Sequence, residues 1–149
     1  MRILIICVVG FFFLLSSCKK KKEEEEEKKD DFNRTELLTN MADNIIVPSY
    51  VSYKASVDSL EHATTTFISN KNNTNLLSLR SKFLNAYLSF QTVSTFEFGP
   101  AENEIFRSGA NTFPCDTPQI NSNIYAGTYD LNMASNFDAK AYPALDYLL

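Results

Sequence analysis

Apolar positions recur at intervals of three and four along two segments in the first half of the chain. In the first segment they are Leu38, Met41, Ile45, Tyr50, Tyr53, Val57, Leu60, Thr64 and Phe67. In the second they are Leu76, Leu79, Phe83, Ala86, Phe90 and Val93. This interval brings side chains to one face of an α-helix. The pattern therefore predicts two long amphipathic helices, separated by a polar loop over residues 71–75.

The first helix has a recognisable start and an irregular point. Asn33 as N-cap and Glu36 three residues later form the sequence pattern of a capping box, and the apolar stripe extends to about Ser69. The stripe loses phase after Ile45, close to Pro48. Because proline lacks an amide proton and crowds the preceding turn, we expect a kink at this point rather than a break.

The apolar face of the second helix is wider than a coiled-coil seam. The residues that widen it are Leu77, Leu84, Tyr87 and Leu88. A wide apolar face requires several neighbouring helices, so the pattern predicts an all-α fold with up-and-down bundle architecture. To be buried, this wide face also needs more neighbouring apolar surface than residues 32–149 provide.

The second half of the chain is less regular. Glycine and proline concentrate between residues 99 and 127. We expect one or two helical turns over residues 102–106, a loop over 111–118 and a short helix over 119–125. A last helix should place Pro143 in its first turn and Asp146 near its positive end.

The N-terminus has the features of an export signal. Arg2 precedes an apolar run over residues 3–15, which is too short to span a bilayer. The run ends in Leu15-Ser16-Ser17-Cys18, which matches a bacterial lipobox. We therefore expect residues 1–17 to be removed and Cys18 to carry the acyl chains that anchor the protein in the bacterial cell envelope, at the periplasmic or surface face of the outer membrane.

Residues 19–31 consist of six Lys, five Glu and two Asp. A segment without apolar side chains cannot form a core, so residues 18–31 are predicted to be a lipidated cysteine followed by a solvated tether. A simple spacer and a surface-export signal both account for this composition. Residues 32–149 then form the folded domain.

Composition excludes several classes of function. The net charge of −4 argues against nucleic acid as a partner. Of three cysteines, Cys7 is removed and Cys18 is lipidated, so Cys115 stays a free thiol, expected to be a small, half-buried residue. His62 is the single histidine and lies off the apolar stripe, which places it toward solvent. No nucleophile triad, Walker motif or dinucleotide fingerprint is present.

Five stretches, in this order, carry a further pattern. They are residues 40–50, 96–102 (Phe-Glu-Phe-Gly-Pro-Ala-Glu), 111–116 (Asn-Thr-Phe-Pro-Cys-Asp), 127–130 (Gly-Thr-Tyr-Asp) and 141–149. Together they resemble the N-terminal part of imelysin-like proteins. The resemblance implies that the bundle is an incomplete part of a larger fold of two helical bundles. It also implies an exported, often lipid-anchored protein of a family linked to iron acquisition and first described as peptidases.

The metal motif of that family, Gly-x-His-x-x-Glu, falls on residues 141–146. Here Ala141 replaces the glycine, Pro143 the histidine and Asp146 the glutamate. Proline offers no metal ligand, so Asp146 is left as the candidate ligand for iron or another divalent cation. The alternative role for Asp146 is to stabilise the first turn of the last helix.

The acidic residues near the Phe-Gly-Pro turn are a second candidate region. Glu97, Glu102 and Glu104 could form an acidic rim that attracts cations, with Arg107 paired to Glu104 or Glu102. We expect metal binding or uptake, involving the ion itself or an envelope iron-uptake partner, rather than catalysis. A metallopeptidase and a truncated remnant without function are the alternatives.

Overall fold

Helices account for every regular element of residues 31–149, the part of the chain that the computed structural model describes. The all-α prediction is therefore confirmed. Residues Arg34–Leu149 form one compact unit. The predicted signal segment, Cys18 and most of the tether lie outside the described residues. Within the described part of the chain, no helix is both long and apolar enough to cross a membrane.

The first long helical stretch consists of three pieces. α1 (Arg34–Met41) starts directly after Asn33, a π-helical turn follows over Ala42–Ile46, and α2 continues over Val47–Ser69. The amide of Val47 donates to the carbonyl oxygen of Ala42, five residues back. The chain stays helical through Pro48, as predicted. The wider turn inserts a residue into the helical repeat, which explains why the apolar stripe loses phase at this point.

α3 (Asn73–Val93) starts three residues earlier than the apolar stripe indicated. The side chain of Asn72 caps it by accepting a hydrogen bond of 2.8 Å from the amide of Asn75. The short connection between α2 and α3 makes the two helices an antiparallel hairpin, and they pack along their length.

The main core lies between the two helices of this hairpin. α3 contributes Leu79, Phe83, Ala86, Phe90 and Val93, all buried, and α2 contributes Leu60 and Ala63. The predicted inward face of α3 is thus confirmed. The same periodicity in α1 does not lead to burial: Leu38 is 63% exposed, and α1 has no buried residue. Leu84 on the outer face of α3 is also exposed.

Short helices make up the remainder of the described residues. They are α4 (Pro100–Asn103), α5 (Phe106–Ala110), α6 (Thr117–Ala126), a 3-10 turn (Ala134–Asn136) and α7 (Ala141–Leu148). The helical turns predicted over residues 102–106 are instead two helices, interrupted at Ile105, which has a left-handed φ of 51°. α6 starts earlier than predicted because Asp116 caps it, accepting a 2.9 Å hydrogen bond from the amide of Gln119.

Buried amide side chains tie α6 to the segment that follows it. Asn123 donates to Asn136 at 2.8 Å, and Asn136 donates to the carbonyl oxygen of Asp130 at 2.7 Å. Gln119 in turn donates to Asn123 at 2.9 Å. No buried side-chain nitrogen or oxygen of residues 31–149 lacks a hydrogen-bond partner. The amides therefore satisfy one another and fix the course of the loop after α6.

α7 joins the two packing regions. Tyr142 belongs to the main core of the hairpin, whereas Ala144 packs with Ile120 and Ala139 in a smaller second cluster. Consecutive turns of one helix therefore contact different parts of the fold. This position brings the predicted ligand Asp146, one turn after Tyr142, beside the loop that connects α5 and α6.

Candidate functional site

A cavity of about 260 Å³ lies beside α7, and we refer to it as the α7 cavity. The residues with polar or reactive groups along it are Tyr87, Asn111, Cys115, Tyr142, Asp146 and Tyr147. They come from α3, the loop before α6, and α7. Pro143 also lines the cavity, so two of the three substituted positions of the Gly-x-His-x-x-Glu pattern, Pro143 and Asp146, lie along it.

Tyr142 fixes the position of this wall. Its hydroxyl lies 3.1 Å from the hydroxyl of Tyr53 and 3.3 Å from the carbonyl oxygen of Ala86. Burial raises the pKa of Tyr142 well above the usual value for a phenol, and the hydrogen bond with Tyr53 adds to this shift. The side chain therefore stays neutral and anchors α7 to the hairpin.

Asp146 is exposed and lies in the second turn of α7, which begins at Ala141. The first turn of α7 contains no acidic residue. Asp146 therefore does not stabilise the start of the helix, and that alternative is wrong. Pro143 is the third residue of this helix and so lies in its first turn, as predicted. Asp146 instead lines the α7 cavity.

The neighbouring polar groups of the α7 cavity are partly engaged with one another. The hydroxyl of Tyr87 donates to Asn111 Oδ1 at 3.3 Å, and the amide of Asn121 donates to the hydroxyl of Tyr147 at 3.0 Å. Both phenolic oxygens retain acceptor capacity. Tyr87 and Asn111 were not among the predicted site residues, because α3 and the loop meet only in the folded chain.

Cys115 is half-buried, as expected, and forms no disulfide. Burial raises the pKa of its thiol, and the negative charges of Asp116 and Asp138 add to the shift. The thiol therefore stays protonated at neutral pH, which is the opposite of what a nucleophile or a thiolate ligand requires.

The donor set of the α7 cavity suits a hard cation in part. Carboxylate, phenol and amide oxygens are the appropriate donors for such ions. Asp146 is the single carboxylate on the cavity wall, and no group of three or more His, Cys, Asp or Glu side chains able to hold a metal occurs in residues 31–149. Among the described residues, Asp146 would thus need further donors of another kind, such as the phenols.

The predicted acidic rim lies elsewhere. Glu104 lines a different cavity from Asp146, so the structure does not bring the two candidate regions together. The predicted partner of Arg107 is also wrong. Its guanidinium lies 3.0 Å from Glu97, and its backbone amide donates to the same carboxylate at 2.9 Å. Left-handed backbone at Ile105 turns Arg107 back toward Glu97, which spacing along a continuous helix did not anticipate. His62 is exposed, as expected.

The family model described as imelysin matches residues 46–149. A relative, "Iron-regulated protein A" of Synechococcus elongatus, is 32% identical over 81 residues, which cover 54% of this chain and 23% of the relative. The matched part thus spans about a quarter of that relative's length. No solved structure matches. Since the family model covers most of the chain, including both the hairpin and the wall with Asp146, the chain belongs to the imelysin family.

Proposed function

We propose that this protein is a lipid-anchored envelope protein that captures iron, or another hard cation, by binding rather than by catalysis. The observation that carries the proposal is the position of Asp146, which lines one cavity together with Tyr87, Tyr147 and Asn111. The name of the cyanobacterial relative connects that protein with iron. Membership of the imelysin family also supports a role that involves iron.

The composition of the α7 cavity favours a transient cargo over a resident metal. A ferric ion prefers charged oxygen donors, and Asp146 supplies one. Phenols and the Asn111 amide add weaker donors, so the cavity would hold the ion loosely and leave coordination positions for a carrier or an envelope uptake partner. Loose binding with open positions is what a protein needs in order to receive and release an ion.

Peptidase chemistry requires a metal held by several protein ligands and a water molecule activated on it. Pro143, at the position where the family motif has its imidazole, offers no donor atom. For this reason we favour metal binding over catalysis. A chelator-sensitive cleavage of peptides by the purified chain would support the metallopeptidase alternative instead.

Titration of the full chain, purified in detergent, with ferric citrate tests the proposal. We expect Asp146→Asn to weaken iron binding by at least about tenfold, because the loss of a group that only hydrogen-bonds to a metal ligand already lowers metal affinity by about this factor. Asp58→Asn is the matched control, since Asp58 is an exposed carboxylate paired with Lys54, away from the α7 cavity. Equal affinities for the two variants would remove Asp146 from the site.

A gain of function sharpens the same test. Residues three apart on a helix are neighbours, so Pro143→His would place an imidazole next to the carboxylate of Asp146. We expect this variant to bind the ion more tightly than the natural sequence. An unchanged or lower affinity, with the helix content preserved, would mean that position 143 does not face the bound ion.

The anchor is proposed on the lipobox, with Cys18 as the acylated residue and the bacterial outer membrane as its location. Metabolic labelling with a fatty-acid analogue should mark the wild-type protein and the Cys7→Ser variant, whereas Cys18→Ser should stay unlabelled and leave the membrane fraction. Labelling that persists in Cys18→Ser would overturn this assignment.

A further inference from the structure

A second and larger cavity, of about 450 Å³, opens between the first turn of α2 and the segment before α5. We call it the aromatic cleft. Its walls include Tyr50, Phe96, Phe98, Phe106 and Pro100, and Glu104 is the one charged residue that lines it. The volume falls within the range of small-molecule sites in proteins. The cavity thus combines four aromatic side chains with a single carboxylate.

The walls of the aromatic cleft are fixed by contacts within the chain. The hydroxyl of Tyr50 donates to the carbonyl oxygen of Phe96 at 3.1 Å, which ties α2 to the opposite wall. The rings of Tyr50 and Phe106 pack with their centroids 5.9 Å apart. The two contacts between Glu97 and Arg107 close the intervening segment into a loop. These contacts pre-organise the walls of the cleft, which lowers the cost of binding a ligand.

The electrostatics of the aromatic cleft favour a positive ligand. The face of an aromatic ring carries negative potential, which attracts cations. The charge of Glu97 is compensated by Arg107, whereas Glu104 is exposed and forms no salt bridge within residues 31–149. Burial raises the pKa of Tyr50, with Glu97 as a second cause, so the phenol stays neutral and the region carries net negative charge.

We propose that the aromatic cleft binds a small organic ammonium ion, with its N-alkyl groups against the aromatic residues and its charge near Glu104. Aromatic cages of this composition are a common solution for quaternary ammonium recognition. A hydrated metal ion fits less well, because it needs several oxygen donors and the cleft offers one carboxylate. This site is separate from the α7 cavity and does not depend on the proposed role of Asp146.

The test compares two ligands of nearly the same shape. Choline and its uncharged carbon analogue 3,3-dimethylbutan-1-ol are titrated against the full chain, purified in a maltoside detergent. Binding is measured by NMR from the ring signals of Tyr50 and Phe98. We expect choline to bind about two- to fivefold more tightly than the neutral alcohol, which is the ratio that cation–π contacts at exposed sites give.

Two pairs of variants assign the effect to the aromatic cleft. Phe98→Ala should weaken choline binding about threefold or more. Tyr125→Ala, which removes an exposed ring elsewhere, should not. Glu104→Gln should weaken choline binding about threefold, whereas Glu102→Gln, also exposed but not lining the cleft, should leave it unchanged. Both informative side chains are exposed, so the variants are expected to fold.

Three outcomes would overturn the proposal. They are equal affinity for choline and the neutral alcohol, the absence of a saturable shift at Tyr50 and Phe98, and equal choline affinity in Phe98→Ala and the wild type. The first would mean that the cleft accepts any apolar group. Choline binding that is unchanged in Asp146→Asn confirms that the two cavities are independent, so failure of the iron proposal would leave this one standing.

Discussion

The helical hairpin and the segment after it are stabilised in different ways. Between α2 and α3 the core is apolar and aromatic. The ring of Phe90 packs against three other aromatic rings, with centroid distances of up to 6.0 Å, and these rings belong to Tyr53, Phe106 and Tyr142. Between α6 and α7 the backbone follows a course set by the amides of Asn123 and Asn136. The first region depends on volume and shape, and the second on individual hydrogen bonds.

The largest expected effect is the removal of a ring from the hairpin. Phe90 is 1% exposed, so Phe90→Ala should lower the free energy of unfolding by about 3–5 kcal/mol, because it loses buried surface and leaves a cavity. Urea denaturation measures the loss. Leu88→Ala on the same helix is the control, since Leu88 is 58% exposed and should cost far less. Similar losses for both would contradict the apolar description of this core.

In the amide-bonded region the expected loss is smaller and polar in origin. Asn136→Ala removes the acceptor of Asn123 and should cost about 1–3 kcal/mol, which is the usual penalty for an unpaired buried polar group. Asn132→Ala, four residues earlier and exposed, should change stability by less than about 0.5 kcal/mol. If Asn136→Ala were as mild as Asn132→Ala, the amides would not be what holds this segment.

Tyr142 links the two regions and gives a dependence on pH. Its pKa is raised in the folded state, so above about pH 10 the unfolded chain loses a proton that the folded chain keeps. Stability should therefore fall as the pH rises above this value. Tyr142→Phe should reduce that fall by about 1 kcal/mol per pH unit, seen in urea midpoints between pH 8 and pH 12. The same slope in wild type and variant would show that Tyr142 ionises freely.

The smallest expected effect concerns backbone strain, which in the described residues is found outside the hairpin, at Ile105 and Ala141. Ala141 has a φ of 63°, where a Cβ costs energy. Ala141→Gly should therefore stabilise the protein by about 0.5 kcal/mol, after the entropy of glycine is subtracted. Ala144→Gly, on the same helix with normal geometry, should destabilise it by about 1 kcal/mol. Thermal unfolding of both variants should show shifts of opposite sign.

Periodicity predicted the hairpin well, because a regular helix converts spacing along the chain directly into a face. The positions of α3 from Leu79 to Val93 were predicted to share one face, and they are the positions that pack. Periodicity did not predict which apolar faces find a partner, as exposed Leu38 in α1 shows. The spacing of apolar residues shows that a helix has an apolar face, but it does not show which other helix covers that face.

The second half was harder to predict because short helices depend on single residues. Asp116 as an N-cap and the left-handed backbone at Ile105 each moved a boundary or redirected a side chain. These features are local, and yet the partner of Arg107 depends on both the turn at Ile105 and the position of Glu97. Spacing alone therefore indicated Glu102 or Glu104 as its partner, and the folded loop selected Glu97 instead.

The sequence by itself determined the helical class and the two long helices, since these follow from periodicity. Five short stretches in order carried the resemblance to the imelysin family, and the motif that this resemblance implies showed the substitutions at Pro143 and Asp146. Only the tertiary structure decided that Asp146 shares a cavity with Tyr87, and that Tyr50 and Phe98 line another cavity with Glu104. Both groupings join residues from separate elements. Their proximity is set by the anchoring of Tyr142 and by the loop that Arg107 and Glu97 close, and such long-range contacts leave no periodic signal in the sequence.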